Sequence, residues 1–132
     1  MTKASNRTYK LSRASMLSFR DESKMYESLS GEEWIWESQA RLSVKIAGFP
    51  LGGAPGFISV TNKRVVFEPA KTSITGAMAE IDFQNIEKVQ KTCNFLIFPN
   101  SFKIFTKDGK CYKFTTWSRN AIVKLLDNPK KL

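Results

Sequence analysis

Histidine is absent from this chain, which removes at once the commonest general base and the commonest metal ligand. Cysteine is nearly so: Cys93 and Cys111 are too few for a disulfide framework and lack the paired spacing of a zinc site. Both are expected to be free thiols that fill structural positions. Neither is followed by an arginine six positions on, since Cys93 leads to Pro99 and Cys111 to Trp117, so the loop of a cysteine phosphatase is excluded. The glycine-rich run Gly48 to Gly56 has no Lys-Ser/Thr at its end, and no nucleotide phosphate loop is indicated. Adjacent acids such as Glu32 and Glu33 stand at a strand start, where solvation is the expectation. The chain is therefore read as no enzyme, with no cofactor and no metal site. No run of about 18 apolar residues occurs, and the first 20 residues lack the apolar block of a secretory signal. The expectation is a cytoplasmic protein, peripheral at a membrane if it meets one.

What is present fits one soluble domain: 132 residues, 42% apolar and 25% charged. The charge is uneven. Residues 1–31 carry six Lys/Arg against three Asp/Glu, residues 32–85 five against six, and residues 86–132 ten against three. Most of the net +9 thus lies in the last third, which implies a negatively charged partner: anionic lipid, nucleic acid or an acidic protein. Residues 1–25 read as a flexible basic arm, rich in Ser, Thr and Asn and poor in helical periodicity. Residues 26–132 read as the folded domain.

From Glu33 to Ile46 the residues alternate, with Trp34, Trp36, Ala40, Leu42, Val44 and Ile46 on one side, the period of a half-buried strand. Fourteen extended residues reach about 46 Å, too long for a flat strand in a small domain, so a bulge is expected. Gly48 to Gly56 reads as a loop that breaks the ladder. Phe57 to Glu68 reads as a hairpin, because a turn at Asn62-Lys63 sets Val60 opposite Val65 and Ile58 opposite Phe67. Ala77 to Phe83 is a further strand, with Ala77, Ala79, Ile81 and Phe83 inward, and Ile86 to Thr92 another. For Ser101 to Thr115, a two-residue turn at Asp108-Gly109 pairs Ile104 with Lys113 and mixes core with charge. A three-residue loop at Lys107-Asp108-Gly109 pairs Ile104 with Tyr112 and Phe102 with Phe114, and sets Lys103 opposite Lys113 on the outer face. Ser118 then caps a short helix, with Trp117 stapled to Ile122 and Ala121, Ile122, Leu125 and Leu126 as its apolar stripe, stopped at Asn128-Pro129.

Three stretches carry a resemblance: TNKRVVFEP at 61–69 after Gly56, EIDFQNIEKVQK at 80–91, and FPNSFKIFTKDGKCYKFTTWSRNAIVKLL at 98–126. Their order and spacing resemble the GRAM domain of the pleckstrin-homology-like superfamily over roughly residues 26 to 127. The resemblance implies a mainly β, seven-stranded, partly open barrel capped by one C-terminal helix. It also implies a non-enzymatic binding module for anionic membrane lipid, phosphoinositide included. Candidate lipid-binding residues are Lys103, Lys107, Lys110 and Lys113 on the last hairpin, with Lys63 and Arg64 on a neighbouring one. Phe49 and Leu51 are either a membrane-inserting tip or rim packing. The first loop offers only Lys45 where better-defined lipid-binding relatives place several basic residues, which favours diffuse attraction over a specific pocket. The alternative function is a protein-interaction module, suggested by the apolar run Phe95 to Phe98. Nucleic acid is disfavoured for want of an RNA-binding motif, and a monomer is expected.

Overall fold

The computed structural model describes residue 21 and residues 25–46, 49–94 and 98–127, with the backbone alone described at 44–46, 49–52 and 94. Most of the N-terminal arm and the Asn128-Pro129 stop thus lie outside the described residues. Among those described, seven strands run in chain order: β1 (Trp34–Ile46), β2 (Phe49–Thr61), β3 (Arg64–Pro69), β4 (Ala79–Asp82), β5 (Ile86–Asn94), β6 (Phe98–Thr106) and β7 (Cys111–Thr115). A helix, α1 (Arg119–Leu126), follows. The strands form one antiparallel sheet in the order β4-β3-β2-β1-β7-β6-β5. Its two edges, β4 and β5, are not paired with each other, so the sheet curls without closing, and α1 packs on β5 and β6.

The two hairpins adopt the registers that keep apolar residues on one face. Val60 lies opposite Val65 and Ile58 opposite Phe67; Ile104 lies opposite Tyr112 and Phe102 opposite Phe114. A one-residue slip in either would carry the whole apolar set to the other face. The three-residue loop needs a left-handed residue, and Gly109 supplies it at φ 87°. These faces meet in the core, where Phe114 stacks on Phe102 with centroids 5.5 Å apart and touches Phe67 at 5.8 Å. One aromatic thereby ties β7 to β6 and, across the barrel, to β3.

β1 is bulged as its length requires, with register shifts at Trp34/Trp36 and Ser43/Lys45. The first has a consequence the alternation hides: Trp36 packs on the main core, whereas Trp34 turns to a second cluster with Val66 and Tyr26. Of the segment 48–56, expected as a loop, the described residues 49–56 are instead the first half of β2, with Lys45 opposite Pro50, Ser43 opposite Gly53 and Arg41 opposite Pro55. Proline withholds a donor but still offers its carbonyl, and that of Pro55 accepts Ala70 N–H at 3.1 Å. Gly56 is there for space. A Cβ built on it falls 2.3 Å from the Glu68 carbonyl oxygen and 2.6 Å from Phe67 Cζ. Gly56→Ala is therefore expected to cost about 2–3 kcal/mol of stability, read from urea unfolding, through displacement of β3 from β2.

Several local expectations are corrected. Ala77 and Phe83 pack beside the core outside β4, and Phe83–Asn85 forms a 3-10 turn. Helix α1 buries Ile122, Val123 and Leu126 and leaves Ala121 exposed, so the stripe that meets β5 and β6 is rotated from the one expected. Trp117 does not staple the helix. It stays 75% exposed and meets Phe98 edge-on at 6.4 Å, while Ser118 caps through backbone position alone. Cys93 and Cys111 are free but exposed, so neither fills the core.

Candidate functional site

The outward face of β5, β6 and β7, with the β6–β7 turn, gathers five lysines of the last third. Lys103 pairs directly with Lys113 across β6 and β7, and Gln90 flanks Lys103 on β5. One row on, Lys88 lies beside Phe105, its ammonium 4.8 Å from the ring centroid. Lys107 and Lys110 are exposed in the connecting turn. Among the described residues no ion pair engages any of these five lysines. Asp108 in the same turn is held below the usual carboxylate range chiefly by the Thr106 hydroxyl that donates to it.

The Lys63 backbone is linked to the β6–β7 turn through the Phe83–Asn85 turn, while its side chain lies against the segment 25–33. Its carbonyl accepts Phe83 N–H at 3.1 Å, and Asn85 carbonyl accepts Lys107 N–H at 2.8 Å, so the turns of the two hairpins flank the same three residues. Its ammonium is exposed and donates to the Ser30 carbonyl at 2.5 Å. The side chains of Phe49 and Leu51 lie outside the described residues.

Arg64 is corrected outright. It is 2% exposed and sits beneath the segment 25–33, which crosses the outer side of β2 and β3. Its Nε and one terminal nitrogen donate to the two carboxylate oxygens of Glu32 at 2.8 and 2.9 Å, and it also reaches the Glu27 carbonyl and the carboxylate of Glu80. The rings of Tyr26 and Trp34 lie 5.3 and 5.7 Å from its guanidinium carbon. All three nitrogens of the fork are engaged within the protein, so Arg64 holds the segment to the sheet and is not a cation for a surface partner. Glu32, expected as a solvated acid, is its buried counter-ion.

Burial alone would raise the Glu32 carboxyl. Hydrogen bonds from Arg64, the Leu29 N–H and the Thr61 hydroxyl outweigh it and hold the group below its ordinary value. A carboxyl depressed by folding stabilises above its unfolded pKa, and that contribution is lost as pH falls through the folded value. Melts taken from neutral pH downward are expected to fall steeply below about pH 4, and Glu32→Gln to flatten that slope.

A second feature could not be foreseen from sequence. Among the described residues β7 pairs with β1 at two positions, Arg41 with Thr115 and Leu42 with Phe114. Where the strands part, a cleft of about 540 Å³ opens on the outer side, between the β3–β4 connection and the junction of β7 with α1. Arg41, Lys71, Asn100, Thr115 and Trp117 line it. Thr115 and Lys113 alternate on β7 with the buried Phe114, so the cleft and the lysine row share one face of the sheet. Asn100 is 7% exposed, and its Oδ1 has no hydrogen-bond partner among the described residues.

This architecture has counterparts of known structure. The chain is similar to the C-terminal domain of an unknown protein from Leishmania infantum, at 15% identity over 92% of this chain and 96% of that one, with a TM-score of 0.63. It is similar to the Vps36 N-terminal PH domain, at 14% identity over 84% and 88%, with a TM-score of 0.62. A third likeness is to the PH domain of human oxysterol binding protein-related protein 11, at 13% identity over 79% and 85%, TM-score 0.55. The fold is pleckstrin-homology-like. No protein-family profile matches the sequence, and no curated protein matches it. The open seven-stranded sheet and C-terminal helix expected from sequence are those of this fold. No described helix is long and apolar enough to cross a membrane.

Proposed function

We propose that this chain is a non-enzymatic binding module of the GRAM type that docks reversibly on anionic membrane surfaces through the outward face of β5, β6 and β7. The observation that carries the reading is the direct opposition of Lys103 and Lys113, with Lys88, Lys107 and Lys110 around them; among the described residues no carboxylate forms an ion pair with any of the five, and Asp108 is the acid whose charge Lys110 feels. Two ammonium groups on facing strand positions repel each other, and a negative surface turns that cost into attraction. Each lysine near an anionic bilayer contributes about 1 kcal/mol, so five such groups suffice for reversible attachment without a shaped pocket. The PH-like fold supports the same reading, since its members are often lipid- or protein-binding modules.

Co-sedimentation with phosphatidylcholine vesicles, with and without phosphatidylserine, tests it. Binding is expected only with the anionic lipid and is expected to weaken steeply with salt, because the Debye length shrinks from about 10 Å at 0.1 M to about 3 Å at 1 M. Equal sedimentation with neutral and anionic vesicles, or indifference to salt, would overturn the reading.

A further inference from the structure

We infer that the row Gln90, Lys103 and Lys113, side by side on the outward face of β5, β6 and β7, selects lipids that end in a phosphomonoester over lipids whose phosphate is a diester. The inference rests on the docking reading above and adds which lipid class the face prefers and which three side chains read it.

This row stands apart from the rest of the basic face. Lys107 and Lys110 are exposed in the turn, whereas Lys103 and Lys113 are half-buried and oppose each other across β6 and β7. Positions so paired have Cβ atoms about 4.5–5.5 Å apart, which lets both ammonium groups reach one point above the sheet. Gln90 lies opposite Lys103 on its other side and adds an amide donor. Among the described residues no hydrogen bond or ion pair engages either ammonium or the Gln90 amide. Their neighbours are occupied: Lys88 rests on the Phe105 ring, and Arg119 donates to the Thr92 carbonyl. Three adjacent donors, two of them charged and partly withdrawn from water, are thus left without an acceptor.

The matching acceptor follows from charge and valence. A terminal phosphomonoester presents three oxygens and carries a charge of about −1.5 to −2 at neutral pH, with its second ionisation near pH 6. Its charge meets both ammonium groups and its oxygens meet all three donors, while the repulsion between Lys103 and Lys113 is cancelled. A phosphodiester spreads a single charge over two free oxygens, so it leaves one donor unmet and relieves less of that repulsion. The row lies on the face of the sheet, between the row Thr92, Ser101, Thr115 and the row Lys88, Phe105, Cys111. It therefore reads the terminal phosphate and little beyond it. The charged and titratable groups around it are Lys88, Cys111 and the turn residues Lys107, Asp108 and Lys110, with Arg41 beyond Thr115 and Arg119 at Thr92.

The test compares phosphatidylcholine vesicles carrying phosphatidic acid or phosphatidylmethanol, lipids that differ by a methyl group on the phosphate, at mole fractions set to equal zeta potential. The intact chain is expected to bind phosphatidic acid about tenfold more tightly at neutral pH, as one further hydrogen bond to a charged group implies. With potentials matched again at each pH, the preference should fade towards about pH 5.5 as the headgroup takes up its second proton. The chain has no histidine to titrate over that range. Lys113→Gln is expected to erase the preference, and Gln90→Ala to lower it about threefold with the net charge unchanged. Lys107→Gln removes the same charge outside the row and should weaken both lipids alike, with their ratio intact. Equal affinity at matched potential, or a preference that survives Lys113→Gln, would overturn this inference and leave charge-driven docking standing. Binding to neither vesicle would overturn the docking reading itself. Should glycerol 3-phosphate bind the dissolved chain as tightly as phosphatidic acid vesicles do, the row belongs to a free phosphomonoester and the lipid site is overturned.

Discussion

Arg64→Leu is expected to lower the unfolding free energy by about 3–5 kcal/mol, the range for breaking a buried ion pair from one side. The residue makes every hydrogen bond between β3 and the 25–33 segment that involves the Glu32 carboxylate and the Glu27 carbonyl, and Glu32 has no exposed surface on which to find water instead. What remains after truncation is a carboxylate in a closed space with only the Leu29 N–H and the Thr61 hydroxyl as donors. Urea unfolding should show the loss, and Lys63→Ala, one residue away on the exposed turn, should be nearly neutral. The double substitution Arg64→Leu/Glu32→Leu is expected to recover part of the loss, because it removes the stranded charge along with its partner. A loss below about 1 kcal/mol, the value of an ordinary surface pair, would show that the segment is not latched by this network.

Lys103→Glu/Lys113→Glu has the opposite profile, a large effect on binding and a small one on stability. Two attractive charges are lost and two repulsive ones gained, so at about 1 kcal/mol each the affinity for anionic vesicles should fall by about 4 kcal/mol, several hundredfold. The fold should tolerate it, since the facing pair remains a like-charge pair of the same spacing. The single variant Lys113→Glu sharpens the test. It converts the pair into opposite charges and should stabilise the hairpin by a few tenths of a kcal/mol while it weakens vesicle binding. Binding that follows stability in these variants, and not charge, would remove the lysine face as the docking surface.

These two residue sets also mark where the sequence could and could not be read. The Lys103 and Lys113 opposition was legible because a hairpin is local: one register alone puts Phe102, Ile104, Tyr112 and Phe114 on a common face, and the outward residues follow by parity. Arg64 was misread for the complementary reason. Beside Lys63 at a turn it has the appearance of a surface cation, and its partners are Glu32, Glu80 and Glu27, none of them local to it. The single sign that could have been found was charge balance: residues 32–85 hold five bases and six acids, enough acid to pair with a buried arginine. Proline and glycine in β2 misled in another way, because they argue against a strand only where the donor they withhold is needed. Arg41 and Asn100 carried no local signal, and that of Trp117, its place just before a helix cap, pointed to a staple it does not form.

By itself the sequence determined the strand periodicities, the two hairpin registers, the helix that follows and the basic excess of the last third, because each depends on neighbours a few residues apart. Only the tertiary structure decided that Arg64 is interior, that the thiols are exposed, and that a cleft opens where β7 leaves β1. Those outcomes depend on pairings between segments tens of residues apart, whose geometry is fixed by how a twisted sheet curls around one shared core, a property of the whole chain that no local pattern encodes.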